Sequence, residues 1–219
     1  VKSGARLVAL SSRSGLANRD AIERLRSAGS AVVVPCVDLG VRVQAGILLQ
    51  LLSGLPGPAR RRMRLAGVLQ TTGVLRDATA RNTSARSLEL VFSAKVQAAW
   101  HLHCAMAPLQ LDFSSTFSSI AAVFGGIGQA SYASANEFLV VLARHAGSRG
   151  CVSSSTQWPL VENVGMGKGV TAEVEGRITA KQFGLTLAAV LGQTPAVLLS
   201  FTGTFHRVFG TTPPSVRGL

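Results

Sequence analysis

Short apolar runs, too short and too β-branched for helices, recur along the whole chain, each followed by a polar exit and then a helical pattern. Arg6–Leu10 (RLVAL) leads into Ser11-Ser12-Arg13-Ser14-Gly15 and a helix through Ile22 and Leu25 to Ala28, closed at Gly29. Ala31–Pro35 (AVVVP) exits through Cys36-Val37-Asp38-Leu39 into a helix over Val41–Leu52, which the glycines and prolines of residues 53–58 end. Further strands are predicted over Leu65–Leu69, Leu111–Ser118, Val152–Trp158 and Ala196–Ser200. Between them lie one long helix carrying Leu88, Val91, Phe92, Lys95, Val96, Ala99, Trp100, Leu102 and His103, another completed by Glu137–His145, and a last over Thr179–Leu191. Residues 159–176 are polar and glycine-rich and read as a mobile segment. This order predicts an α/β fold: a doubly wound, mostly parallel sheet with helices on both faces and its site at the carboxyl ends of the strands.

Several polar residues fall at those ends: Arg13, Asp38, Thr72, Gly73, Ser119 and Trp158 all follow predicted strands. The densest stretch is Phe117–Asn136, FSSIAAVFGGIGQASYASAN. A serine pair closes a strand, a glycine-rich loop follows, and Tyr132 opens a helix on which Asn136, four residues on, shares its face. A strand-end hydroxyl and a phenol on the next helix can converge on one substrate oxygen. Taken singly, Ser119 reads as a turn cap and Tyr132 as a half-buried aromatic; their combination points to carbonyl reduction.

Composition limits the alternatives. With 219 residues, 47% hydrophobic and 15% charged, the chain fits one globular domain with a substantial core. It has no charge-free apolar run of membrane-spanning length and no secretory leader, so the expected location is intracellular, in the cytoplasm. Cys36, Cys104 and Cys151 lack metal-ligand or disulfide spacing and are expected to be buried small hydrophobes, with no metal bound. The net charge of +12 raises nucleic-acid binding, but only Arg60, Arg61, Arg62 and Arg64 cluster, without interleaved aromatics. They read as a solvated loop. Val1 opens in what looks like the end of a helix, as in a segment of something longer, and the Thr, Pro and Gly content from Gly210 onward is linker-like.

The segments GARLVALSSRSG (4–15), GVLQTTGVLRD (67–77), KVQAAWHLH (95–103), FSSIAAVFGGIGQASYASANEFL (117–139) and QWPLVENVGM (157–166) together resemble the ketoreductase domain of modular polyketide synthases, within the short-chain dehydrogenase/reductase superfamily. The resemblance implies a Rossmann-like domain over residues 1–209, followed by a C-terminal linker over 210–219. It implies NADPH-dependent reduction of a β-ketoacyl thioester carried by an acyl carrier protein, beside other synthase domains. The catalytic set it implies is Ser119, Tyr132, Lys95 and Asn136. Many superfamily members keep the lysine four residues after the tyrosine, where this chain has Asn136, and Lys95 on the preceding helix replaces it. Ser12, Arg13, Asp38, Thr72 and Gly73 match positions lining the cofactor, with Arg13 toward the 2′-phosphate. Where the family usually reads Cys-Asp-Val this chain reads Cys-Val-Asp, a shift that could turn Asp38 away.

Two departures stand out. The family's GxGxxG phosphate loop occurs nowhere in the sequence, so the first strand-turn-helix, whose strand is central in the doubly wound order, is expected to be missing and to lie upstream. Pro159 and Glu162 stand where glycines are common, at the start of a lid expected over Val161–Lys168. Asp77, the last residue of Leu75-Arg76-Asp77, matches the family's Leu-Asp-Asp motif for B-type stereochemistry, and Phe124 replaces the tryptophan of the opposite class. An alternative is a degenerate, non-catalytic ketoreductase-like domain kept for architecture.

Overall fold

The computed structural model describes residues 5–55, 64–168, 177–191 and 197–199. The chain alternates as expected: β1 Leu7–Ala9, α1 Arg19–Ser27, β2 Ala31–Val33, α2 Arg42–Gly54, β3 Gly67–Gln70, α3 Ala85–Phe92, α4 Ala98–Met106, β4 Phe113–Ser119, α5 Ala121–Phe124, α6 Ala130–Ser148, β5 Ser154–Trp158, α7 Ala180–Leu191 and β6 Val197–Leu199. Helix starts are fixed by side chains that satisfy first-turn amides. Asn18 accepts from Ala21 N–H at 3.0 Å, and Ser84 from Ser87 N–H at 3.1 Å. Thr179 and Gln182 form a reciprocal capping box at α7: Gln182 N–H donates to Thr179 Oγ1, and Thr179 N–H to Gln182 Oε1.

All strand pairs are parallel, but they fall into two sheets: β1 beside β2, and β3-β4-β5-β6 in that order. Among the described residues no strand joins the free edges of β1 and β3. What holds the halves together is apolar packing of α2 on α4, with Leu39, Ala45, Leu48, Leu49, Ala98 and Leu102 buried in one cluster.

The expected long helix is in fact interrupted. Between α3 and α4 the residues Ser93–Gln97 form a π-turn, in which Ala98 N–H reaches back five residues to Ser93 O. Lys95 lies inside it. The cysteines also differ from expectation, since Cys36, Cys104 and Cys151 are all exposed and free. Cys36 sits at the exit of β2 with its thiol donating to Arg13 O, while Cys104 lies on an exposed position of α4 and Cys151 follows α6. Of the arginine cluster, Arg64 pairs with Asp112 through both guanidinium nitrogens; Arg60, Arg61 and Arg62, residues 169–176 of the expected mobile segment, and the 210–219 linker lie outside the described residues. Residues 161–168 are tied back by a bridge between Val161 and Ile178, and Glu162 lies 3.7 Å from Arg177.

Candidate active site

Three elements meet at the carboxyl end of β4: the π-turn, β4 itself and the first turn of α6. Lys95 is the most unusual group there, because it is 2% exposed yet carries an amine. Its Nζ donates to Phe117 O at 2.8 Å and stands 5.5 Å from the centroid of the Tyr132 ring. Burial pushes its pKa down from 10.5 to about 8, since a charged amine loses its hydration inside the protein.

Tyr132 is buried, and burial raises the pKa of its phenol. The side chains of Asn136 and Ser119 oppose that rise, and the negative charge of Asp77 adds to it. Asn136 is fully buried; its Nδ2 donates to Tyr132 O at 2.8 Å, and its own backbone oxygen accepts from Ser118 Oγ at 2.9 Å. Asn136 Oδ1 meets no donor among the described residues. Ser119 Oγ accepts from Ala121 N–H at 3.2 Å, an arrangement that keeps its hydroxyl proton for another acceptor. The four residues Ser119, Tyr132, Lys95 and Asn136 are therefore neighbours, although they come from three elements.

The other candidates form a rim. Ser12 and Arg13 follow β1, where Ser12 bridges to Cys36 and donates to Leu16 O, and Arg13 is exposed. Asp38 is folded onto its own loop, with Oδ1 accepting from Gly40 N–H at 2.9 Å. Thr72 donates to Ala94 O at 2.6 Å, and Gly73 lies against Lys95, where a Cβ would come within 3.2 Å of Cε. Asp77 accepts from Gln129 Nε2 at 2.9 Å, and Ala78 N–H donates to Gly128 O, so this loop is clipped onto the one that leads into α6. Trp158 ends β5 and packs on Phe117 and Phe183, with ring centroids 5.4 and 4.7 Å away.

Gln70 and the π-turn were not legible as site features in the sequence. The only hint is an amide at the end of the apolar run GVLQ, which proves to be 3% exposed.

A parallel α/β sheet with a serine at a strand end and, packed beside it, a tyrosine on the following helix and a buried lysine on the preceding one defines a short-chain dehydrogenase/reductase. The KR domain profile matches residues 1–163 of the sequence, and the chain belongs to that family, the ketoreductase domains of polyketide synthases. It is 38% identical over 176 residues to the polyketide synthase GfsA of Streptomyces halstedii, a match covering 78% of this chain and 2% of that protein. It is 37% identical over 182 residues to Pks1 of Mycobacterium tuberculosis, a phenolphthiocerol synthesis polyketide synthase with "inactive" in its name; the match covers 81% of this chain and 11% of Pks1. The chain thus spans a small part of either synthase. Among solved structures, A-type ketoreductases from a modular polyketide synthase superpose with a TM-score of 0.80 at 30% identity, covering 93% of this chain and 43% of theirs. A Serratia marcescens short-chain dehydrogenase/reductase variant, at 19% identity and a TM-score of 0.71, shares the fold. The family's chemistry is oxidoreduction with a nicotinamide cofactor. No helix among the described residues is long and apolar enough to cross a membrane.

Proposed function

We propose that this chain reduces a β-ketoacyl thioester, carried on an acyl carrier protein of a polyketide synthase, to the β-hydroxyacyl thioester, with NADPH as the reductant. The observation that carries the reading is the buried Lys95 amine beside Tyr132, with the Ser119 and Asn136 side chains acting on the same phenol. Bound NADPH would supply a hydride to the ketone carbon. The chain's own residues deal with the oxygen. As negative charge develops there, Ser119 Oγ–H donates a hydrogen bond to it and Tyr132 gives up its phenolic proton. An ordinary tyrosine, with a pKa of about 10, holds that proton too firmly near neutral pH, and an ammonium close by favours the phenolate. Lys95 provides that charge, and the Asn136 amide orders the start of α6 through its bond to Tyr132 O.

The donor set on the rim fits the adenosine end of NADPH. Arg13 presents an exposed guanidinium suited to a phosphate, beside Ser12, and Gly73 offers a wall without a side chain next to Lys95. Asp38, whose Oδ1 accepts from Gly40 N–H, would line the ribose side. A glycine loop for the pyrophosphate would sit on a parallel strand between β1 and β3. Asp77 fixes the loop before Tyr132 and, through it, favours the B configuration of the new alcohol. Chiral analysis of the product checks this; the opposite alcohol would overturn it.

The second reading is a non-catalytic domain, favoured by Pro159, which stands where the family commonly has a glycine. The two separate on one assay in the full polypeptide that carries this chain: NADPH oxidation with a β-ketoacyl thioester on a carrier protein. Turnover that falls by about 10³-fold or more in Tyr132→Phe is expected for the enzyme. Turnover that survives the substitution would sink the mechanism, and a wild-type protein that binds carrier protein without turnover would leave the architectural reading.

A further inference from the structure

The proton relay needs a lysine held deep in the protein on a stretch of helix that is not a regular α-helix, and the grip on that stretch comes from β3. Three groups at the exit of β3 face the π-turn. Thr72 Oγ1 donates to Ala94 O at 2.6 Å, Gln70 Nε2 donates to Lys95 O at 3.2 Å and to Thr72 Oγ1 at 2.9 Å, and Gly73 lies against the Lys95 side chain. A π-turn widens the helix and redirects carbonyls from their usual i+4 partners. Here the carbonyls of Ala94 and of Lys95 itself each receive a side-chain donor from β3. The Gln70 amide is oriented by this chemistry, because only the nitrogen can donate to Lys95 O. Its Oε1 is left buried without a hydrogen-bond partner among the described residues, a desolvation cost that the fold accepts at this point.

We propose that Gln70 and Thr72 are positioning residues for Lys95: a hydrogen-bonded clamp that holds the π-turn in register with β4, so that the amine spans from Phe117 O to the face of Tyr132. This rests on the ketone-reductase reading for its consequence, but not for its geometry. The clamp sets both the depth of Lys95 and its distance from the phenol; Tyr132 on α6 is the titratable group that faces the amine. Thr72 hence has a task beside any contact with the cofactor, since its hydroxyl proton is committed to Ala94 O.

The test uses Thr72→Val, which keeps the shape and removes the hydroxyl, Gln70→Leu, and Thr72→Ser, which restores the donor. The first readout is the titration of the Lys95 side chain by NMR with ¹³C-labelled lysine in the full polypeptide, and it needs no turnover. Thr72→Val and Gln70→Leu are expected to move the midpoint upward from the wild-type value, toward that of an ordinary lysine, as the amine gains water; Thr72→Ser stays with the wild type. The second is kinetic: kcat falls by about tenfold to a hundredfold in Thr72→Val and Gln70→Leu with KM for NADPH unchanged, and Thr72→Ser recovers most of it. A Lys95 midpoint that does not move in Thr72→Val and Gln70→Leu overturns the clamp, as does a rise in KM for NADPH at constant kcat, which would return Thr72 to cofactor binding. If Gln70→Leu does not fold, the near-isosteric Thr72→Val decides alone. A wild-type protein that titrates as described but does not turn over would instead count against the reductase reading.

Discussion

At the scale of single residues, Lys95 sets stability against catalysis. Its ammonium is disfavoured by burial, with the pKa lowered from 10.5 to about 8. Below pH 8 both folded and unfolded chains hold the proton, and the folded state carries the full penalty. Between pH 8 and 10.5 the unfolded chain binds more protons than the folded one, so stability rises with pH, by about 3 kcal/mol over the interval. Above pH 10 the raised pKa of Tyr132 acts the other way, because the folded state then keeps a proton that the unfolded state releases. The expected result is a stability curve that climbs from pH 8 to 10 in the wild type and is flat there in Lys95→Met, measured by urea denaturation at each pH. Equal slopes in the two proteins would show that Lys95 is hydrated. The rate moves oppositely. In the proposed mechanism Lys95 assists Tyr132 only while charged, so kcat for ketone reduction is expected to fall as pH rises through about 8; a kcat still climbing at pH 9 would remove the lysine from that role.

At the scale of elements, α7 is held by few but specific contacts. Its capping box fixes where it starts, and Phe183 in its first turns stacks on Trp158 at 4.7 Å and meets Phe117 at 6.0 Å. Phe117 and Trp158 also flank the strand ends that carry Ser119 and the lid start. Phe183→Ala removes the ring from a half-buried site, with an expected loss of about 2–3 kcal/mol, below the range for a fully buried phenylalanine. Thermal unfolding should register a fall of roughly 5–10 °C in Tm; an unchanged Tm would mean that α7 does not dock through this ring. How far the sequence showed these elements depends on where packing overrides pattern. The alternation of β-branched runs with helical periods marked each described strand to within a few residues, and the spacing of Ser119, Tyr132 and Asn136 singled out side chains that the fold brings together. The apolar periodicity around Lys95 is equally compatible with one straight helix. The carbonyls of the π-turn accept from Gln70 and Thr72, which lie more than twenty residues away in sequence, and no local signal announces a long-range hydrogen bond. The cysteines misled for a related reason: small thiols are often buried, but Cys36 and Cys151 sit at the exits of β2 and α6, and Cys104 lies on an exposed position of α4.

At the scale of the whole molecule, the described residues form two sheets that share no strand pairing. A two-stranded sheet is marginal on its own, so β1 and β2 depend on the packing of α2 against α4. Leu48, 6% exposed, and Leu49, 4% exposed, carry the α2 side of that contact, against Ala98 and Leu102. The larger sheet has its own support from α6, whose Leu139 and Leu142 bury against Ala99. Among the described residues the two halves are therefore expected to differ in stability, with the half bearing Arg13 and Asp38 the weaker. Leu48→Ala, at an expected cost of about 2–5 kcal/mol, should loosen that half first. Amide hydrogen exchange would then accelerate by about tenfold or more at Leu7–Ala9 and Ala31–Val33, while Ser115, Thr116 and Ser155 in β4 and β5 stay protected. Acceleration spread evenly over both sheets would show one cooperative unit, with the α2–α4 contact as its interior. The proposed NADPH site gives the converse: a ligand that engaged Arg13 and Ser12 at one end and the Lys95–Tyr132 site at the other would bridge both halves, and its binding should slow exchange in β1 and β2 more than in β4. Protection confined to β4 would mean that the cofactor does not reach the smaller sheet, and that Arg13 does not hold its phosphate.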